Sequence, residues 1–448
     1  MLKHKLIATL GGGLLLLSSS TLAATLDSLQ KDIDELNDRV DANELAATLN
    51  KVKFGLEFTT ALNNIQSKDH TAGTTENYKN RWAMGLYLNM NADVNKYTKF
   101  TGRLSMTKAF GDIALGYPTN DGIGSLDAGR GVAGGSAIYV ERAYVDIYMG
   151  KYAALTIGRL PGTDGPGSNL RNSSARMSTY PALAVNALGD GAVLTLKPYT
   201  DAAFRVGYSK IYQPLTLNSD SAGGNIWGNK GASDANLFFG AFETPFAPKS
   251  FGQNLLMLTY INLQNYATPD IKTGDTQNPV IPAQNIGNMQ YVNLHIENDK
   301  MLGTGLNWFV SASYYIGSNG EVSKLVAGQN QALATTPYAK FANENAWAVH
   351  AGLRYDIGSA FKIGYEYFKG SEYWYAFSRV SINDPFNFRN TRGDVHDVYA
   401  IWQLDLNQFF RLSYTRQHLD YGTALMPMAT AKADITNQNI ALAYLLRF

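Results

Sequence analysis

The sequence predicts an all-β protein, a transmembrane antiparallel up-and-down β-barrel of about 16 strands with a short N-terminal α-helical coil. Three observations carry this. From residue 52 onward apolar residues recur with a period of two, as along a strand with one apolar face. Short and long connections alternate between these stretches, which a soluble sandwich has no reason to do. The segment "NIALAYLLRF", residues 439–448, puts Ile440, Leu442, Tyr444, Leu446 and Phe448 on one parity, so the chain finishes on a strand with an apolar face.

Composition fits and excludes. Lys+Arg 38 against Asp+Glu 37 offers no clustered basic excess for nucleic acid. Charged residues are sparse at 17%, whereas Tyr (27) and Gly (42) are abundant, as suits tyrosine-rich strands joined by glycine-rich links. The absence of cysteine excludes thiol catalysis, thiolate metal sites, disulfides and a lipidated-cysteine anchor.

In chain order, residues 1–23 read as a signal peptide: basic "MLKHK", apolar "LIATLGGGLLLL", then a small-residue exit. The apolar run is far short of the ~20 residues of a spanning helix. Residues 24–50 read as a periplasmic helix or coiled coil. Leu26, Leu29, Ile33, Leu36 and Val40 step by three and four, the seam of a heptad repeat, before the register slips.

Residues 52–448 are the expected barrel. In "RWAMGLYLNMNADV", Trp82, Met84, Leu86, Leu88 and Met90 share one face, and Ala83, Gly85, Tyr87, Asn89 and Asn91 the other. Strands of ~9–14 residues match a tilted crossing. Short links are expected near 95–96, 150, 200, 299–303, 358–359 and 407, with a longer one at 244–252. Long links are expected at 63–80, 111–138, 161–189, 212–234, 264–288, 317–343, 370–394 and 420–434. "NLLMLTYINLQ", residues 254–264, is apolar on both faces and cannot be oriented. Trp82, Trp347, Tyr355, Trp402 and Tyr414 suit interfacial girdles.

Residues 440–448 resemble the C-terminal assembly signal of Gram-negative outer-membrane barrels, which implies recognition by the barrel-assembly machinery. "ERAYVDIY…LTIGRLPGTDGPGSN", from Glu141, resembles the passage preceding the third external loop of bacterial porins. With its coil-forming leader the chain is similar to a group of porins with an N-terminal coiled-coil segment. That implies a passive channel for small hydrophilic solutes or ions, embedded in outer-membrane lipid, with the coil a candidate element of a homotrimer.

If apolar faces look at lipid, the polar parity lines the interior, Glu57, Arg103, Arg142, Arg205, Glu297, Arg354, Glu366, Asp405 and Arg411 included. Both signs are present in similar numbers. The third long loop, residues 159–183, carries Arg159, Asp164, Arg171 and Arg176; by analogy it is the candidate constriction, facing wall residues Arg103, Arg142 and Arg205. The competing reading leaves these charges in outside water. The glycine-rich 120–135 lacks the Gly-Lys-Ser/Thr ending of a phosphate loop. His70, His295, His350, His396 and His418 are dispersed, so neither a metal nor another cofactor is expected, nor an enzymatic activity. The alternative function is a structural barrel with a plugged lumen, tethered by its coil to a periplasmic partner.

Overall fold

The computed structural model describes residues 30–31, 33–40, 51–110, 135–162, 165–176, 183–185, 188–199, 201–212, 235–267, 271–272, 280–281, 285–317, 343–378, 380–423 and 429–448. These fall into two units, residues 1–53 and 54–448. In the first, residues 30–31 and 33–40 are helical, and the seam residues Ile33, Leu36 and Val40 are exposed. The expected signal peptide, residues 1–23, lies outside the described residues, as does most of the expected coil. No helix among the described residues is long and apolar enough to cross a membrane.

Sixteen antiparallel strands close into one barrel. They are β1 (Val52–Asp69), β2 (Thr74–Asn95), β3 (Thr98–Ala109), β4 (Gly135–Met149), β5 (Ala153–Leu160), β6 (Gly189–Tyr199), β7 (Ala202–Tyr212) and β8 (Ala235–Thr244), followed by β9 (Gln253–Ala267), β10 (Asn285–Asp299), β11 (Leu306–Ile316), β12 (Ala346–Ile357), β13 (Phe361–Gly370), β14 (Gly393–Gln403), β15 (Gln408–Tyr421) and β16 (Lys432–Arg447). The ladder from Ile271–Lys272 to Val280–Ile281 is a separate small sheet between β9 and β10. Closure joins β16 to β1, from Glu57↔Arg447 to Asp69↔Ile435. Beyond Arg447 the ladder ends with Leu56 N–H donating to Phe448 O (2.7 Å) and Phe448 N–H to Leu56 O (2.9 Å). No edge is left in the sheet, the condition a β-structure must meet in hydrocarbon.

Alternation sorts the two faces. Along β16 Ile440 and Leu442 are exposed, while Ala441, Ala443 and Leu445 are buried. On β12 the outer parity runs from Trp347 to Ile357, ten residues or ~33 Å along the strand. At a tilt of about 40° this covers ~25 Å, the height of a lipid-facing band. Exposed Trp82, Tyr208, Tyr260, Tyr314 and Trp347 frame the band at its loop end, and Tyr97, Tyr152, Tyr199, Tyr355 and Trp402 at its turn end. Amphipathic rings at both rims suit the two water–lipid boundaries.

Three expectations are corrected. The long link at 63–80 is only residues 70–73, because β1 and β2 run on as a hairpin, with Gln66 Nε2 donating to Asn77 Oδ1 (3.0 Å). Both faces of that hairpin are polar, so the period-two signal fades there although the strands continue. The 254–264 segment is now oriented: Leu255, Met257, Ile261 and Leu263 face inward, and Leu258 and Tyr260 outward. Asp405 does not line the lumen; it sits exposed in the β14–β15 turn, accepting from the N–H groups of Asn407 (2.7 Å) and Gln408 (3.0 Å).

Why β9 is apolar on both faces follows from the interior. A buried cluster joins Leu237, Ile261, Leu263, Met289, Tyr291, Tyr315 and Phe368 of the inner wall to Leu183 and Ala184 of the 161–188 connection, and to Trp374, Tyr375 and Phe388 of the 371–392 connection. Described residues of both connections therefore pack inside the barrel, and the wall they touch is greasy on its inner face as well.

Candidate functional site

The 161–188 connection leaves β5 at Pro161. It takes positive φ at Gly165 (83°) and Gly167 (75°), a region that favours glycine. At Gly167 a Cβ would also lie 2.3 Å from the Phe309 ring, so this glycine lets the backbone hug the β11 wall. One helical turn follows, Ser168–Arg171, buried throughout. Three wall arginines donate to the carbonyls at and just beyond its end, where intrahelical partners run out. Arg354 of β12 donates to Leu170 O (2.7 Å), Arg411 of β15 to Arg171 O (3.2 Å), and Arg447 of β16 to Asn172 O (2.6 Å). Lys362 Nζ donates to Ser173 Oγ, which in turn donates to Gln403 Oε1 (3.0 Å).

Side chains tie the same segment to wall carboxylates. Arg171 forks onto Glu366 of β13, Nη2–Oε2 3.1 Å and Nε–Oε1 3.3 Å, with His350 Nε2 3.0 Å from Glu366 Oε2. Arg176 reaches Glu297 of β10 at 2.6 Å, and His295 Nε2 lies 3.0 Å from the other Glu297 oxygen. Burial works against the Arg171 charge, yet Glu366, Asp397 and Asp384 together hold its guanidinium above the ordinary value. The centroid of the Phe388 ring lies 5.2 Å from its guanidinium carbon, a cation–π contact.

The 371–392 connection is the part sequence reasoning missed. Phe377 N–H donates to Ala184 O (2.7 Å), and Val185 and Phe377 form a parallel bridge, so the two loops meet backbone to backbone. Tyr291 Oη donates to Tyr375 O (3.0 Å) and Trp374 Nε1 to Arg389 O (2.6 Å). Burial pushes the Asp384 carboxyl up, while Arg171 and the Phe388 N–H it accepts pull the other way. Burial also brings Arg392, whose Nε donates to Trp374 O (2.8 Å), down to about 10. A signal was present in the sequence. Tyr373, Trp374, Tyr375, Phe377, Phe386 and Phe388 are more aromatic than a water-facing loop requires.

On the far wall, Arg103 of β3 meets Glu57 of β1 at 2.7 Å and Glu141 of β4 at 3.4 Å, with Tyr87 4.2 Å from its guanidinium carbon. Arg142 pairs with Glu141 at 3.1 Å, and Arg205 of β7 with Glu243 of β8 at 2.9 Å. Glu141 was not foreseen as an inward residue. The pairing steps from Arg103↔Arg142 to Leu104↔Val140, a bulge at Glu141 that turns both Glu141 and Arg142 inward. Toward the turn end, inner residues Asn91, Thr101, Tyr144, Asp146, Thr156 and Thr195 keep partial exposure.

The expected charge set is thus divided. Arg171 and Arg176 are pinned to one side of the interior, and Arg103, Arg142 and Arg205 line the other. Arg159 joins neither. It shares the parity of exposed Ile157 and forks onto Asp190 (2.9 and 3.1 Å) on the outer surface, because the last residues of β5 hold the lipid-facing phase. Asp164 lies outside the described residues. Among the described residues no group of three or more His, Cys, Asp or Glu is placed to hold a metal ion.

A sequence profile of the family described as "Protein of unknown function (DUF3373)" matches residues 75–443. The chain belongs to that family. No curated protein matches it. Among solved structures, OmpF of Salmonella typhi, in complex with daunomycin, is similar at a TM-score of 0.48 and 10% identity, over 88% of this chain and 98% of that one.

Proposed function

We propose that this protein is an outer-membrane channel for passive diffusion of small hydrophilic solutes or ions. The observation that carries the reading is the sorting of faces in a closed barrel. The outer face is a continuous apolar band, and the inner wall of β2–β6 presents partly exposed amide, hydroxyl and carboxylate groups. Sixteen strands enclose a lumen wide enough for water. Arg103, Arg142 and Arg205 stand against Glu57, Glu141 and Glu243 on that wall, so charge is nearly balanced and ion selectivity is weak. On the same reading, Ile440 to Phe448 serve as the signal for the barrel-assembly machinery, and the N-terminal helix supports a homotrimer.

A second reading has its own support. The apolar cluster over β8–β14 favours a barrel plugged by its two inner loops and tethered through its coil to a periplasmic partner. Planar bilayers separate the two. Stepwise conductance by the purified protein is the outcome expected of the channel. Silence from protein that retains its strand spectrum and heat-modifiable migration overturns the channel in favour of the plug.

A further inference from the structure

We propose that the 371–392 connection is a partition that routes solutes along the inner wall of β2–β7 and seals the side lined by β11–β16. This rests on the channel reading and names the path within it. The connection is anchored at two distant places. At one, Trp374 and Tyr375 are buried against Tyr291 of β10 and Tyr315 of β11. At the other, Ile382 lies in a buried cluster that runs from Tyr399 of β14 and Phe409 of β15 through Ala443 of β16 to Ala61 of β1, and its Cδ1 reaches β2, 2.9 Å from where a Cβ on Gly85 would stand. Counting around the ring, β10 and β2 stand eight strands apart in both directions, facing each other across the lumen. With strands ~4.8 Å apart and tilted about 40°, a ring of this size is ~32 Å across. The seven residues from Tyr375 to Ile382 span at most ~23 Å at ~3.3 Å each, less where Ser378 N–H turns back onto Ala376 O (2.7 Å). The Tyr291 side chain reaching in from β10 and Ile382 reaching out to β2 cover the remainder.

The two compartments differ. Behind the partition the Ser168–Arg171 turn fills the space, and inner residues Glu366, Asp397, Arg411 and Asn439 are buried. One cavity there, between Arg171, Asp397, Arg411 and Asn439, is about 10 Å³, room for one water centre. In front, toward the turn end, Asn91, Thr101 and Tyr144 pair in turn across β2–β4 and Asp146 pairs with Thr156 of β5, and these residues, with Thr195 of β6, keep partial exposure.

The cysteine-free chain allows a direct test. Thr195→Cys in front of the partition and Ser413→Cys behind it are placed singly in the full-length protein in lipid vesicles. Labelling uses a charged methanethiosulfonate reagent added to both sides. Thr195→Cys is expected to react at least ~100-fold faster, since labelling behind the partition waits on local opening. Adding Ile382→Ala, or Trp374→Ala with Ile382→Ala, is expected to speed Ser413→Cys labelling at least ~10-fold and to raise conductance. Ile382→Ala alone carries this arm where the double variant loses its heat-modifiable form. Equal labelling in a conducting barrel overturns the partition. Side-selective labelling of a barrel silent in bilayers overturns the channel reading and leaves the partition standing.

Discussion

Replacing Arg171 with alanine tests how the inner loop is held. Arg171 and Glu366 are both buried, with side chains 9% and 1% exposed, and they share two contacts at 3.1 and 3.3 Å. Removing one partner of such a pair leaves an uncompensated buried charge, at a cost of ~3–5 kcal/mol. His350 already lies against Glu366 and cannot replace the lost fork. Since each ~1.4 kcal/mol is tenfold in an equilibrium, local opening of the loop should become roughly 10²- to 10⁴-fold more frequent. The readout is hydrogen exchange at the amides of Arg171, Asn172 and Ser173, which are bonded to the carbonyls of Gly167, Ser168 and Leu170 in the closed loop. Barrel-strand amides should change far less, and added salt should not reproduce the effect, because a buried pair is poorly screened. Arg171→Lys keeps the charge without the fork and should fall between. Unchanged exchange at these three amides, or equal acceleration throughout the strands, would refute the assignment of the pair as the loop's anchor.

Three further outcomes are expected. Arg354→Ala and Arg411→Ala each remove a charge-assisted bond to a loop carbonyl, so each should weaken loop protection by ~1.5–3 kcal/mol in the same exchange assay. Deleting Phe448 removes both closing bonds to Leu56 and should lower the yield of heat-modifiable barrel on refolding into detergent; an unchanged yield counts against closure through this residue. Asp384 carries a raised carboxyl pKa, so its buried charge penalises the folded loop above that pKa and the penalty fades as pH falls toward the ordinary aspartate value. Asp384→Asn should therefore increase loop protection at pH 7 and lose that advantage in acid, measured by exchange at both pH values.

Where lipid faces one side and polar lumen the other, alternation in the sequence is unambiguous, and β2, β12 and β16 could be read directly. The signal fails wherever an inner or outer surface departs from that rule. β9 could not be oriented because its inner face is covered by loops, so Ile261 and Leu263 are as apolar as outward Leu258. The β1–β2 hairpin could not be followed because it is polar on both faces. Parity assigns Arg159 only when counted from Ile157, and Glu141 only once the bulge is known. The site was legible in half. Charges on the 161–188 connection are visible in the sequence, but their partners Glu297 and Glu366 come from strands 121 and 195 residues away. Two of the histidines that read as dispersed are brought together by the ring: His70 and His418 meet across Thr436 Oγ1 at 3.1 and 3.2 Å.

One anchor of the inner loop has a bearing on the order in which the structure can form. Arg447 belongs to β16, the strand that seals the cylinder against β1, and it grips Asn172 O from inside. Until that seam zips, the arginine has no fixed place from which to hold the loop. Internal bracing and circumferential sealing thus mature together, and a half-zipped cylinder lacks a strut as well as a wall.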